Sequence, residues 1–182
     1  WIEAHCVLPD SVGKGQPFVM YDWQLRCTVT HYRVKAKAEP AWAVKRDGSQ
    51  VVPSSAFFYR RSQVVAPQKT GKGPWSATII AAEAVGPVVF VGFAEGGEVY
   101  HCSDHGCSCG WFYEYAPGEP MGQPWPTPLI QLLATSIEQT DNVYRPLQSM
   151  IRNGSLGEQM RVGEGFIRTP NDGRIDPVTS QE

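Results

Sequence analysis

The sequence predicts an α/β domain with a largely parallel sheet, interrupted by an inserted β-hairpin. Three observations lead there. Apolar strand candidates alternate with helix-patterned segments from residue 57 onward, the order that yields strand–helix–strand units. A Gly-Lys turn, "APQKTGKG" at 66–73, lies between an apolar run and an Ala-rich helix. A Gly-, Pro- and Cys-rich stretch at 94–127 then breaks the alternation and carries two aromatic strand candidates.

The bulk numbers fit one folded domain. Of 182 residues, 42% are apolar and 19% charged, so the chain belongs with globular proteins rather than disordered ones. No run of about 18 apolar residues exists, so no membrane partner is expected. A net charge of −2 argues against a strongly basic nucleic-acid domain but leaves room for a local basic patch. Three of the five Cys fall at 102, 107 and 109, which suits a metal or reduced thiols better than a disulfide framework. A reducing, cytoplasmic setting follows, and no secretion leader is seen. Because the chain starts at Trp1, it is expected to be a piece of a longer or processed protein.

Taken in order, residues 1–21 are mixed, broken by Gly13, Gly15 and Pro17. Asp22 reads as the N-cap of a helix through "WQLRCTVTHYRV". Asp47-Gly48 between two apolar-leaning runs signals a hairpin at 41–52. "FFYRRSQVVA" (57–66) is a strand candidate, its continuously apolar end suited to a buried parallel sheet. Pro74 sits where a helix front tolerates it, "WSATIIAAEAV" favours helix, and Gly86 stops it. "PVVFVGF" (87–93) and "PLIQLLATS" (128–136) are further buried strands, with "EVYHC" and "GWFYEY" forming the hairpin between them. Ser136 and Gln139 have capping-box spacing. Ile137, Thr140, Tyr144, Leu147 and Ile151 then recur at helical intervals up to Gly154, with Pro146 expected to kink or split the helix. The tail offers two short strands around Asp172-Gly173.

The turn at 66–73 has the outline of a nucleotide-binding P-loop, G-x-x-x-x-G-K-[ST] between a strand and a helix. Such a loop wraps backbone N–H groups around phosphate oxygens, and the helix N-terminus adds positive potential. The register is Ala66, Pro67, Gln68, Lys69, Thr70, Gly71, Lys72, Gly73. Gly71 and Lys72 stand in place, and Ala66 fills the first Gly slot. Gly73 is the departure, since it offers no hydroxyl for Mg²⁺. Thr70, Ser76 or a water are the alternatives for that ligand. A solvated turn that merely caps a helix is the competing reading of the same residues.

Here the chain resembles the ATPase part of the large terminase subunit of tailed bacteriophages. Three stretches between 17 and 152 carry the resemblance: "APQKTGKG", similar to that family's deviant P-loop; "PFVMYDWQ" (17–24), similar to its adenine-side element; and "LLATSIEQTDNVY" (132–144), similar to a strand and helix with an A-x-S-x-x-Q pattern. The resemblance implies a RecA-like P-loop NTPase fold of the additional-strand class. It implies ATP and Mg²⁺ as cofactors and hydrolysis coupled to DNA translocation. Lys72 would take the phosphate-binding role, Lys69 would stabilise γ-phosphate charge, and Gln24 would contact adenine. Implied partners are double-stranded DNA, a small terminase subunit, the portal and capsid, and further copies in a ring, in the host cytoplasm. The implied organisation is an adenine-side segment (1–56), a P-loop unit (57–93), the inserted Cys/His hairpin (94–127) and a second strand–helix unit (128–182).

Two departures qualify this. Gly73 replaces the Ser or Thr of the family loop. No apolar strand ends in the Asp-Glu pair that would hold Mg²⁺ and orient water: "PVVFVGFAE", "PLIQLLATS" and "GRIDPVT" all lack it. The expectation is that this strand and the nuclease domain lie beyond the chain, leaving it incomplete for turnover. "HCSDHGCSCGW" adds a candidate zinc set, Cys102, His105, Cys107 and Cys109, although the spacing is tighter than usual zinc knuckles. A hairpin tip with reduced thiols is the alternative. Cys6 and Cys27 read as ordinary small apolar residues. The alternative functions are a non-hydrolysing nucleic-acid or protein-binding module with a zinc-stapled hairpin, or another helicase-like NTPase.

Overall fold

The computed structural model describes residues 1–163 and 165–179. A one-turn helix, α1 (Ile2–His5), precedes α2 (Asp22–His31) and a long irregular stretch, after which α3 (Lys72–Val85) begins. Then come β1 (Val89–Phe93), β2 (Val99–His101), β3 (Phe112–Glu114), β4 (Pro120–Gln123) and β5 (Leu129–Ala134). Helix α4 (Ile137–Asn153) follows, and β6 (Arg161–Val162), β7 (Ile167–Arg168) and β8 (Arg174–Thr179) complete the fold.

The core forms where α3 lies on α4. Ala77, Ala81, Ala82, Ala84 and Val85 of α3 are buried in the same cluster as Tyr144, Leu147, Met150 and Ile151 of α4. Leu156, Met160, Ile167 and Ile175 join them from below. Small Ala side chains on α3 let the two backbones approach closely, while the large residues of α4 fill the remaining space. Each fully buried Leu- or Ile-sized side chain contributes about 1.5–3 kcal/mol, so this helix pair anchors the fold. Among the described residues no helix is long and apolar enough to cross a membrane.

The sheet departs from expectation. Only β5 and β8 pair in parallel, from Leu129↔Arg174 to Ala134↔Thr179. The rest of that four-stranded sheet, ordered β5-β8-β7-β6, is antiparallel. Residues 57–66 form no strand; Phe57 makes one isolated bridge to Val34, and Val65 is 88% exposed. An apolar run becomes a buried strand only if a neighbour supplies ladder partners, and among the described residues only the single bridge at Val34 meets this one. The run at 87–93 is a strand, but it pairs antiparallel with β4 rather than entering a parallel sheet. A largely parallel sheet is therefore not what the described chain contains; it is a mixed α/β fold with small sheets.

Three turn and hairpin expectations are met, while the capping box and the break at Pro146 are not. β2 and β3 pair antiparallel as the hairpin (Val99↔Glu114 to His101↔Phe112). The Asp47-Gly48 turn is flanked by a Val44↔Gln50 bridge. The Asp172 turn links β7 to β8, with Asn171 and Asp172 at φ 54° and 61°. Ser136 is the N-cap of α4 without a side-chain cap bond; Gln139 instead accepts from the Thr135 hydroxyl at 2.8 Å. Pro146 does not split α4, which runs unbroken from 137 to 153.

Candidate functional site

The loop at 66–73 enters α3 through two left-handed residues, Lys69 (φ 61°) and Gly71 (φ 83°), with Gly71 as N-cap. Lys72, Gly73 and Pro74 are then the first three helical positions. Their N–H groups have no intrahelical acceptor, and Pro74 has none to satisfy. The Thr70 hydroxyl donates to the Pro67 carbonyl at 2.9 Å, closing the turn on itself. The Lys72 amine folds back onto the Ala66 carbonyl.

Helix α2 holds this loop from one side. Gln24 is 1% exposed; its amide oxygen accepts the Tyr21 N–H at 2.9 Å and its amide nitrogen donates to the Gly71 carbonyl at 3.3 Å. One turn on, the Thr28 hydroxyl accepts from the Trp75 indole at 3.0 Å, and Trp23 meets Trp75 edge-on. Gln24 therefore has both ends of its amide occupied and sits away from the cavity wall. Its observed work is to fix the loop.

Helix α4 holds the loop from the other side, and here Gly73 acquires a reason. A Cβ at position 73 would stand 2.2 Å from the Asn142 carbonyl oxygen, an impossible approach. That carbonyl lies four residues before Pro146, which has no N–H to bond it and whose ring crowds it. Pro146 leaves that carbonyl without its usual i+4 N–H donor, and Gly73 is the residue that fits against it. A Ser or Thr at 73 is sterically excluded in this arrangement.

Between these elements lies a cavity of about 540 Å³, lined by Gln68, Lys69, Gly71, Lys72, Gly73, Pro74, Ser76, Asn142 and Val143. Of the loop residues singled out in the sequence, Gln68, Lys69, Gly71, Lys72 and Gly73 reach it, while Ala66, Pro67 and Thr70 shape the turn behind it. Two Lys at a helix N-terminus make a cradle suited to an anion. Among the described residues no carboxylate lines it, so these residues do not make a Mg²⁺ site of their own. Neither Asn142 nor Val143 carried a local signal; α4 brings them from 70 residues away.

A second cluster forms at the hairpin. His5 Nε2, Cys102 Sγ, Cys107 Sγ and Cys109 Sγ all lie within 4.8 Å of one another. The expected His105 is not a member: its ring stacks on Tyr100 at 4.8 Å between centroids. Gly106 in the left-handed region turns the chain right after His105 and carries Cys107 into the cluster without it. The fourth corner is His5, which no spacing in the Cys-rich stretch could indicate, because it lies 97 residues upstream of Cys102. Burial lowers the His5 pKa, favouring neutral imidazole. Burial, then the adjacent Cys109 and Cys107 thiols, push Cys102 up to about 12; burial pushes Cys107 up to about 11. Cys6 and Cys27 stand outside the cluster, Cys6 in the main core and Cys27 packed against it.

No family model matches the chain, and no curated protein does. Among solved structures, the crystal structure of the HK97 bacteriophage large terminase is similar, with a TM-score of 0.55 and 17% identity. The match covers 100% of this chain and 26% of that one, so the chain spans about a quarter of its length. At this identity the likeness establishes the fold: a mixed α/β arrangement like that of a region of a phage large terminase.

Proposed function

We propose that this chain is the nucleotide-binding part of a DNA-packaging motor of the large-terminase kind. The observation that carries the reading is the cradle at 66–73: Lys69 and Lys72 at the front of α3, beside a cavity of about 540 Å³. The fold likeness over the whole chain and the three sequence resemblances support it.

In this reading the triphosphate of ATP is the ligand and supplies the phosphoryl group whose hydrolysis drives movement. Lys72 neutralises the β- and γ-oxygens and Lys69 the γ-phosphate. The N-terminal N–H groups of α3 add donors at fixed positions. Gln24 positions Gly71 rather than reading the base. Among the described residues this wall offers Mg²⁺ no carboxylate, so its protein ligands and the water-orienting base come from outside the described cavity lining. Turnover by this chain alone is not expected. Double-stranded DNA, a small subunit, a portal and capsid, and sister copies in a ring are the partners in the host cytoplasm.

The test is a titration of the chain with ATP and with a non-hydrolysable triphosphate. Lys72→Ala should weaken binding by about 10- to 100-fold, the loss of one charge-assisted contact of about 1.5–3 kcal/mol. Saturable binding that ignores Lys72→Ala, or no binding at all, would overturn the proposal. That the described lining carries no carboxylate is the observation that favours the competing reading, a non-hydrolysing binding module. That reading expects no protection by triphosphate and an unchanged melting temperature.

A further inference from the structure

We infer that His5, Cys102, Cys107 and Cys109 form a structural zinc site that fastens the N-terminal segment to the inserted hairpin. A zinc ion with bonds of about 2.3 Å to sulfur and 2.0–2.1 Å to nitrogen has ligand–ligand edges of about 3.5–3.8 Å. His5 Nε2 stands 3.0 Å from Cys102 Sγ and 3.3 Å from Cys109 Sγ, and no pair of ligand atoms exceeds 4.8 Å. Small side-chain adjustments turn this group into a tetrahedron.

The surroundings are those of a ligand set. His5 Nδ1 lies 2.9 Å from the Trp1 carbonyl. That bond places the proton on Nδ1 and leaves the Nε2 lone pair facing the three sulfurs, the usual outer-shell arrangement of a metal-bound His. Trp1 stacks on the His5 ring at 4.3 Å and Trp111 meets it edge-on at 5.3 Å, so the ring cannot turn away. His5, Cys102 and Cys107 are 1%, 2% and 3% exposed. The Trp111 N–H donates to Cys109 Sγ at 3.4 Å, which helps hold that sulfur in place. Left-handed Gly106 tightens the C-x₄-C-x-C path, and left-handed Gly110 turns the chain just after Cys109. All four corners are protein atoms, as in structural rather than catalytic sites, and three thiolates with one imidazole select zinc over harder cations.

The site also explains how a small hairpin holds its shape. β2 and β3 are three residues each, and two-stranded ribbons are marginal alone. Zinc binding would release the thiol protons to solvent and tie residue 5 to residues 102–109. Ser108 already bonds Glu158 through its N–H (2.7 Å) and hydroxyl (2.9 Å), so the loop is docked on the core from its other side.

The experiment is metal analysis of the full chain, purified under reducing conditions and supplied with zinc, followed by cobalt exchange. One zinc per chain is expected, and the cobalt form should show thiolate charge-transfer bands with tetrahedral ligand-field bands. His5→Ala should lower zinc affinity at least about 10-fold and alter the ligand-field bands, while His105→Ala leaves both unchanged. Should His5→Ala fail to fold, Cys109→Ser at the exposed corner serves instead, with weakened thiolate bands expected. Absence of stoichiometric zinc overturns the inference. So does a Cys–Cys disulfide in the reduced, zinc-supplied protein, or dependence on His105 instead of His5.

Discussion

The loop at 66–73 and the cysteine pocket at 102–109 are both glycine-shaped turns, but they are completed differently. The loop carries its charged residues in one contiguous stretch, and its distant partners, Gln24 and Asn142, only hold it still. The pocket carries three of its four donors locally and takes the last from α1. A contiguous site survives small shifts of its neighbours, because all its chemistry moves together. A pocket closed by a distant residue exists only when the fold is made, so it reports on the fold and fastens it. The two regions should therefore fail differently.

The largest expected effect is on the pocket. Removing bound metal with a strong chelator should lower the melting temperature by about 5–10 °C, at ~2–4 °C for each kcal/mol lost in a chain this size. Hydrogen exchange should show amides of 99–114 losing protection while those of 72–85 keep it. Loss of protection in both at once would break the distinction between the regions.

The next effect is on the loop's packing. Gly73→Ser drives a side chain into the Asn142 carbonyl and should cost about 1–3 kcal/mol in urea unfolding, the range for forced overpacking. Adding Pro146→Ala gives that carbonyl an intrahelical N–H and lets it draw back. The double variant should recover part of the loss, a coupling that a double-mutant cycle measures directly. Strict additivity would sink the link between Gly73 and Pro146.

Gln24→Ala comes third, with an expected cost of about 1–2 kcal/mol from the two bonds it makes. It should also weaken triphosphate binding, because Gly71 loses its tether; unchanged affinity would assign Gln24 to stability alone.

The smallest effect is a pH dependence remote from both sites. The Tyr32 hydroxyl donates to Glu83 at 2.5 Å. Burial, then the Glu83 charge, raises the Tyr32 pKa above its ordinary value. A raised folded pKa favours the protonated form, so this contribution is fully present below about pH 10 and is lost as pH climbs beyond it. Tyr32→Phe should lower stability at about pH 8 and flatten the alkaline decline; urea midpoints at about pH 8 and about pH 11 check both.

Much of the site was legible in the sequence because turns and helix fronts are local. "TGKGP" fixes a left-handed cap, a Lys in the first turn and a tolerated Pro, and α3 begins there. The paired strands on either side of the Cys-rich stretch and the Asp172-Gly173 turn were legible for the same reason. The strand at 57–66 was misread because apolar composition says a segment can be buried, not that a partner is beside it. The sequence points to His105 because spacing offers only nearby ligands, and His5, 97 residues before Cys102, gives no such signal.

The sequence by itself determined the longer helices, the turns, the hairpin and the placing of Lys69 and Lys72 at the front of α3, all of which depend on residues near one another in the chain. The tertiary structure alone decided the sheet's mixed pairing, the membership of the cysteine pocket and the meaning of Gly73. Each of these depends on a meeting between separate segments: 45 residues apart for β5 with β8, about 70 for Gly73 with Asn142, and 97 for His5 with Cys102. Gly73 shows the physical reason most directly. Its missing side chain reads in the sequence as a lost metal ligand, and in the fold as the space that the Asn142 carbonyl on α4 requires.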